Sequence, residues 1–265
     1  MTEEKIIELK AWFKDYVGGF FTEEPGFNRN IQLKLDHTMR VCNEMQALSA
    51  SIGLDSELSR LAEVSALLHD VGRFEQFRQF KTFADRKSTN HASLGLQIVD
   101  QFNLLKDFSP LSQSLVKEAI ACHNLAEIPD DTKGNALLLA KLLRDADKLD
   151  IWKVVAEYYQ SSHKLRNKSI ELDLPDLKVV SEAVLKDVLA GKIIRNTELK
   201  SLNDFKLLQL GWVFDLNFSH SLGEFRKRGY LSVISGAISD PLVARKVRAH
   251  IEGYLNQLEA KKMAS

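Results

Sequence analysis

Histidine and aspartate recur in the first two thirds of the chain, and most of them stand in apolar segments. The pair His69-Asp70 ends the apolar run A-E-V-S-A-L-L-H-D, while His37, His91, His123 and Asp147 each fall in a different segment. An imidazole or carboxylate is costly to bury in apolar surroundings unless it is paired or coordinates a metal ion. The spacing therefore predicts a metal site built from nitrogen and oxygen ligands.

The elements that must position these side chains are helices. Apolar residues at helical spacing, with Gly, Pro and capping residues at the ends, predict helices over residues 2–17, 28–52, 56–70, 89–105, 110–124, 135–159, 175–190, 202–215, 218–235 and 241–261. Residues 74–90 contain four phenylalanines but no clean helical period, which predicts a long structured loop. Because no segment alternates as a strand would, we expect an all-α fold, a helical bundle with a C-terminal helical extension.

The polar stretch from Ser161 to Leu174 is the expected domain boundary. We expect residues 1–160 to form the helical core that holds the metal site, with all of its motifs within residues 30–160. Residues 161–265 would be a C-terminal helical extension packed on that core. This extension has no motif that indicates chemistry.

Composition limits the classes of partner and the compartment. The 36 basic and 36 acidic side chains cancel, so nothing in the net charge favours nucleic acid as a partner. Two cysteines, Cys42 and Cys122, make no disulfide framework and fit a reducing compartment. The acidic, amphipathic start of the chain is unlike a signal peptide, and no apolar run approaches membrane-spanning length. We expect a cytoplasmic protein without a membrane partner.

The number of potential ligands favours two ions over one. Helices in a bundle can each aim one side chain at a common interior point. Six protein ligands leave a single catalytic ion no open position, whereas they suit two ions with Asp70 as the bridge. Nitrogen and oxygen ligands favour two divalent transition metals, iron or manganese first, with Mg, Co, Ni or Zn as alternatives.

The identity of the last ligand stays open among three aspartates of one helix. Asp145 has Lys141 at i−4 and Lys148 at i+3, a spacing typical of a solvated, salt-bridged face. Asp147 shares an interior face with alanine and leucine residues, so it is the preferred ligand. Asp150, about one turn further along, would support a ligand from behind.

The order H…HD…D, with V-S-A-L-L-H-D-V-G-R and A-D-K-L-D as anchors, resembles the HD-domain superfamily of metal-dependent phosphohydrolases. The resemblance covers about residues 30 to 160. It implies His37, His69, Asp70 and Asp147 as ligands, and the subset with binuclear sites adds two histidines that His91 and His123 match. The G-Y-P signature of cyclic di-GMP phosphodiesterases of this subset is absent from the segment N-L-A-E-I-P-D-D-T-K-G.

The same resemblance implies a substrate and a role for one arginine. Arg73, in H-D-V-G-R, occupies the position of a basic residue near substrate phosphate, and a guanidinium suits phosphate oxygens. The expected activity is hydrolysis of a phosphate ester of a nucleotide or another small phosphorylated metabolite, with Asp70 and Arg73 as catalytic residues. A di-iron oxygenase of the myo-inositol oxygenase type and a non-catalytic HD signalling module are the alternatives. The oligomeric state stays open, a homodimer included.

Overall fold

A computed structural model describes residues 3–161 and 167–263, and all regular structure in these two ranges is helical. The predicted all-α fold is therefore confirmed. Within these ranges no helix is long and apolar enough to cross a bilayer. The helices are α1 Glu3–Gly18, α2 Pro25–Ser51, α3 Ser56–Leu68, α4 Gly72–Phe80, α5 His91–Gln101, α6 Pro110–Cys122, α7 Gly134–Gln160, α8 Glu182–Leu189, α9 Leu202–Gly211, α10 Ser219–Lys227, α11 Tyr230–Gly236 and α12 Pro241–Met263.

The chain divides into two compact units, residues 1–150 and residues 151–265. Helix α7 supplies the end of the first unit and the beginning of the second. The predicted irregular boundary, Ser161 to Leu174, includes residues 162–166, which lie outside the described residues.

Helix α3 lies at the centre of the first unit. It packs against α1, α2 and α6, and its residues from Leu61 to Leu68 are buried except Glu63. The Asp55 carboxylate caps its first turn by accepting hydrogen bonds from the backbone N–H groups of Glu57 and Leu58. The cap and the apolar sequence together fix where α3 begins and carry its last turn into the interior.

Side chains also cap the two helices that follow. Asn90 accepts from the N–H of Ser93 at the start of α5, and Ser109 accepts from the N–H of Ser112 at the start of α6. The cap at Asn90 sets the first helical position of α5 at His91.

The prediction of a loop over residues 74–90 is wrong for its first part, because Gly72–Phe80 forms helix α4. Phe74 and Phe77 share a buried face, but Phe80 is 43% exposed, so the phenylalanines obscure rather than mark the helical face. Gly72 is required at the start of this helix. A Cβ there would lie 2.3 Å from the carbonyl oxygen of His91 and 2.6 Å from the nitrogen of Gly95. The absence of a side chain thus lets α4 begin directly against α5.

The second unit is built around α9, which is buried along its whole length. Trp152, at the start of this unit, is fully buried and donates its indole N–H to the carbonyl oxygen of Gln209 at 2.7 Å. Aromatic side chains of α10 and α11, Phe225 and Tyr230, pack against the Trp152 ring. This unit therefore has an apolar core of its own.

Three predicted helices of the second unit need correction. Pro175 does not begin a helix, since α8 starts only at Glu182. The segment predicted as one helix over 218–235 forms two, separated at Gly229, whose φ of +68° ends the first. The helix predicted over 202–215 ends at Gly211 and continues as the short 3₁₀ turn Trp212–Asp215. At Gly211 and Gly229 the apolar periodicity continues past the residue where the α-helix ends, whereas at Pro175 the proline does not mark a helix start.

Candidate metal centre

The turn that follows α3 places His69 and Asp70 in the interior of the first unit. His69 is 0% exposed and Asp70 is 2% exposed. The Nδ1 atom of His69 donates to the carbonyl oxygen of Ala66 at 2.7 Å, which fixes the ring orientation. Both side chains are thus held rigidly away from solvent.

The two carboxylate oxygens of Asp70 face two different pairs of histidines. Oδ2 lies 3.4 Å from Nε2 of His37 and 3.6 Å from Nε2 of His69. Oδ1 lies 3.3 Å from Nε2 of His91 and 3.8 Å from Nε2 of His123. These contacts define two ligand groups that share Asp70, which we call the first position (His37, His69, Asp70) and the second position (Asp70, His91, His123).

Asp147 extends the first position from helix α7. Its Oδ1 lies 3.1 Å from Nε2 of His37 and 3.9 Å from Nε2 of His69. Asp150 contacts the other ring nitrogen of His37: its Oδ2 lies 2.6 Å from Nδ1. Asp145, predicted on a solvated face with Lys148, is instead buried, as Lys148 is. Four helices (α2, α5, α6 and α7) and the turn after α3 therefore bring all six predicted ligands together.

Each of the four histidines is held by its Nδ1 atom, so each directs Nε2 inward. The Nδ1 atoms of His37 and His91 contact carboxylates, Asp150 at 2.6 Å and Asp85 at 2.7 Å. The other two rings donate to backbone carbonyls, and His123 does so to Ile120 at 2.6 Å. Metal-ligating histidines are commonly oriented by a carboxylate or a carbonyl in this way.

Burial keeps two of these rings neutral. It lowers the pKa of His69 to about 4 and, together with the charge of Arg73, lowers the pKa of His91 to about 3. Since Nδ1 of each ring carries the proton, Nε2 of each presents a lone pair to the interior. A neutral imidazole with a free Nε2 is the form that binds a metal ion.

The residues present fit bound metal cations. Nε2 of His37 and Nε2 of His69 are buried and have no hydrogen-bond partner in the described part of the chain, although carboxylate oxygens lie within 4 Å of both. Ligands that share an ion at about 2.0–2.2 Å are themselves roughly 3–3.5 Å apart. The distances around Asp70 approach that spacing, and a cation at the first position would satisfy the two nitrogens that otherwise have no partner.

Opposing influences act on the charges of the first position. Burial and the Lys34 ammonium lower the pKa of His37, but the nearby carboxylates of Asp147, Asp150 and Asp70 raise it to about 10. Burial would raise the pKa of Asp70, whereas Lys34 and the facing imidazoles hold it well below its ordinary value. The protein alone therefore gathers positive charge around Asp70, the role that bound cations would take over.

Arg73 lies beside the centre, with Nε 3.4 Å from Oδ1 of Asp70. Its Nη1 donates to the carbonyl oxygen of Phe83 at 2.6 Å and to Oδ1 of Asp85 at 2.8 Å. The buried Gln76 also donates to Oδ1 of Asp85 at 2.8 Å. Arg73 therefore links the turn after α3 to the segment between α4 and α5.

Two residues of the centre were missed by the sequence analysis. Lys34 donates from Nζ to Oδ2 of Asp70 at 2.7 Å, a contact between α2 and the turn after α3 that no local sequence signal marks. Asp85, which orients His91, lies in a segment without periodicity, so nothing in the sequence marked its partner. The basic residues Arg78 and Lys81 of the same stretch are exposed.

Comparison with known proteins agrees with this geometry. Residues 35–152 match the family model of the HD domain, and all six candidate ligands fall within that range. No curated protein and no solved structure matched the chain significantly. The family match and the cluster of histidines around Asp70 lead to one conclusion: residues 35–152 of this chain form an HD domain.

Proposed function

We propose that this protein is a metal-dependent phosphohydrolase that cleaves a phosphate ester of a nucleotide or another small phosphorylated metabolite with water. HD domains are mostly metal-dependent hydrolases, although some are not catalytic. The observation that carries the proposal is the position of Asp70, whose two oxygens face two separate histidine pairs. The presence of both ligand groups supports a catalytic module over a signalling module that has lost its ligands.

Divalent cations at the two positions would supply Lewis acidity toward a phosphoryl oxygen and lower the pKa of water at neutral pH. The side chains of the protein would hold these cations and orient their ligands. Asp70 would hold both positions at a fixed separation, and Asp147 would complete the first position. Asp150 and Asp85 would keep the Nδ1 protons of His37 and His91 in place, so that Nε2 stays available.

Arg73 would stabilise the reacting phosphoryl group from its position beside Asp70. Its guanidinium carries a fixed positive charge next to Oδ1 of Asp70, where negative charge on a phosphoryl group would develop. The hydrogen bonds of Nη1 with Phe83 and Asp85 hold that charge in one orientation. A prealigned cation needs no reorganisation during the reaction, which is how such charges lower a barrier.

The test is phosphate release from a panel of phosphorylated metabolites by protein loaded with Mn²⁺, Fe²⁺, Co²⁺ or Mg²⁺, under anaerobic conditions. We expect turnover of at least one ester by wild type and none by Asp70→Ala, which should also lose bound metal. Asp70→Ala should keep its helical circular dichroism signal. Asp100→Asn, which changes a largely exposed carboxylate, is the matched control and should behave as wild type.

The anaerobic condition separates hydrolysis from oxygenase chemistry. The same nitrogen and oxygen ligands are used by di-iron oxygenases of the myo-inositol oxygenase type, so ligand identity alone does not discriminate between the two reactions. Turnover that requires iron and consumes O₂ would contradict the proposed hydrolase. Phosphate release without O₂ would support it.

A further inference from the structure

We propose that Lys34 binds the phosphate of the substrate, and that the substrate presents a phosphomonoester dianion. This inference rests on the proposed function and extends it to a residue and a substrate class. It starts from the two cations that flank Asp70. Lys34 Nζ lies 2.7 Å from Oδ2, whereas Arg73 Nε lies 3.4 Å from Oδ1.

Lys34 is a cation that remains partly exposed beside the centre. Its side chain is 15% exposed, and the side chain of Asp147 nearby is 17% exposed. The ammonium also lies 5.5 Å from the centre of the Phe83 ring. A partly exposed ammonium that lies over an aromatic ring and reaches a carboxylate is suited to meet an anion that enters from solvent.

The ammonium of Lys34 has hydrogen-bonding capacity left over. It carries three donors, and Asp70 is its one hydrogen-bond acceptor within the described residues. A carboxylate oxygen that binds a cation still has a lone pair, so Lys34 can keep this contact and offer two further donors. Phosphate oxygens are strong acceptors for such charge-assisted bonds.

The charges of the centre favour a dianion. Four carboxylates (Asp70, Asp85, Asp147 and Asp150) are set against the three cations Lys34, Arg40 and Arg73. Two divalent ions would turn this single excess negative charge into three excess positive charges. A monoester dianion together with a hydroxide balances them, whereas a diester monoanion does not. Uncompensated charge in a largely buried site is costly. The charge balance of the centre, to which Lys34 contributes, therefore favours the monoester dianion.

The experiment measures binding rather than turnover. Wild type, Lys34→Gln, Lys34→Arg and Arg29→Gln are loaded with Mn²⁺, their metal content is determined, and the Kd of inorganic phosphate and of dimethyl phosphate is measured by titration calorimetry. Arg29→Gln is the matched control because Arg29 is an exposed cation on the same helix, α2. Inorganic phosphate represents the dianion and dimethyl phosphate the monoanion.

We expect Lys34→Gln to keep its metal and to bind inorganic phosphate about ten- to a hundredfold more weakly, the effect of losing a hydrogen bond to a charged group. Wild type should bind inorganic phosphate more tightly than dimethyl phosphate. In Lys34→Gln the ratio between the two Kd values should be smaller than in wild type. Lys34→Arg should restore much of the affinity, and Arg29→Gln should match wild type.

Three results would overturn the inference: unchanged phosphate affinity in Lys34→Gln, loss of metal from that variant, or equal affinity of wild type for the two anions. Metal-loaded wild type that releases phosphate from no ester would instead contradict the proposed hydrolase. Since the titration needs no turnover, the two failures are distinguishable.

Discussion

His91 and His123 bring their Nε2 atoms within 2.9 Å of each other, although each ring has its Nδ1 atom engaged elsewhere. His91 is neutral near pH 7, because burial and Arg73 lower its pKa to about 3, so its Nε2 presents a lone pair. Two ring nitrogens lie this close only when a cation, either a proton or a metal ion, is shared between them. Oδ1 of Asp70 lies beside both nitrogens and supplies the negative charge that such a cation requires.

Asp85→Asn should weaken the second position selectively. The carboxylate of Asp85 accepts from Nδ1 of His91 at 2.7 Å, and an amide would lose its negative charge and its ion pair with Arg73. Loss of such an outer partner lowers metal affinity by about 10–100-fold. Competition with a chelator, followed by elemental analysis, should show one ion released earlier than in wild type.

The exposed carboxylate of Asp100 provides the control for this substitution. Asp100→Asn should retain metal as wild type does. Equal metal retention by Asp85→Asn and Asp100→Asn would show that Asp85 does not support His91.

Asp150→Asn should produce the complementary defect at the first position. Asp150 is buried, its Oδ2 contacts Nδ1 of His37 at 2.6 Å, and its Oδ1 accepts from Nε of Arg40 at 2.5 Å. The amide would hold His37 less firmly, so metal affinity at the first position should fall by about 10–100-fold. Elemental analysis at limiting Mn²⁺ should find one ion lost, and the double variant with Asp85→Asn should lose both. A double variant that still holds two ions would contradict the assignment of these two aspartates.

Gly72→Ala should destabilise the first unit and disturb the second position. The new Cβ would lie 2.3 Å from the carbonyl oxygen of His91, so α4 and α5 would have to separate. Forcing an extra carbon into a packed contact typically costs about 1–3 kcal/mol. Chemical denaturation should show this loss in the free energy of unfolding. At Gly18, a Cβ meets no atom within 4 Å, so Gly18→Ala should leave stability close to wild type. Equal stability of the two variants would contradict the close approach at Gly72.

The sequence was sufficient to predict the all-α fold from its apolar periodicity. It was also sufficient to predict the cluster of metal ligands from the types of their side chains. Imidazoles and carboxylates in apolar helices are rare enough to stand out, as at His69 and Asp70. The start of α4 could not be predicted, since the phenylalanine spacing of its segment mixes one exposed ring, Phe80, with buried rings. The need for Gly72 depends on the neighbouring backbone of α5, which has no local signature.

The residues that contact the metal ligands were harder to predict than the ligands themselves. Asp85 meets His91 through a segment that Gln76 and Arg73 hold by hydrogen bonds, and these contacts depend on where the fold places α4. Lys34 is an ordinary lysine on a helix until the turn after α3 brings Asp70 to it. The spacing of lysines around Asp145 is typical of a surface residue, yet Asp145 is buried, because local charge spacing does not report burial in the folded chain.

The most direct test of the account is the number of metal ions per chain. Protein saturated with Mn²⁺ or Fe²⁺ and freed of excess metal is measured by elemental analysis, with His37→Ala and His123→Ala alongside it. We expect about two ions per chain in wild type, as in binuclear hydrolytic sites, and about one in each variant. Wild type that never holds more than one ion, together with a His123→Ala variant that keeps it, would contradict the shared role of Asp70.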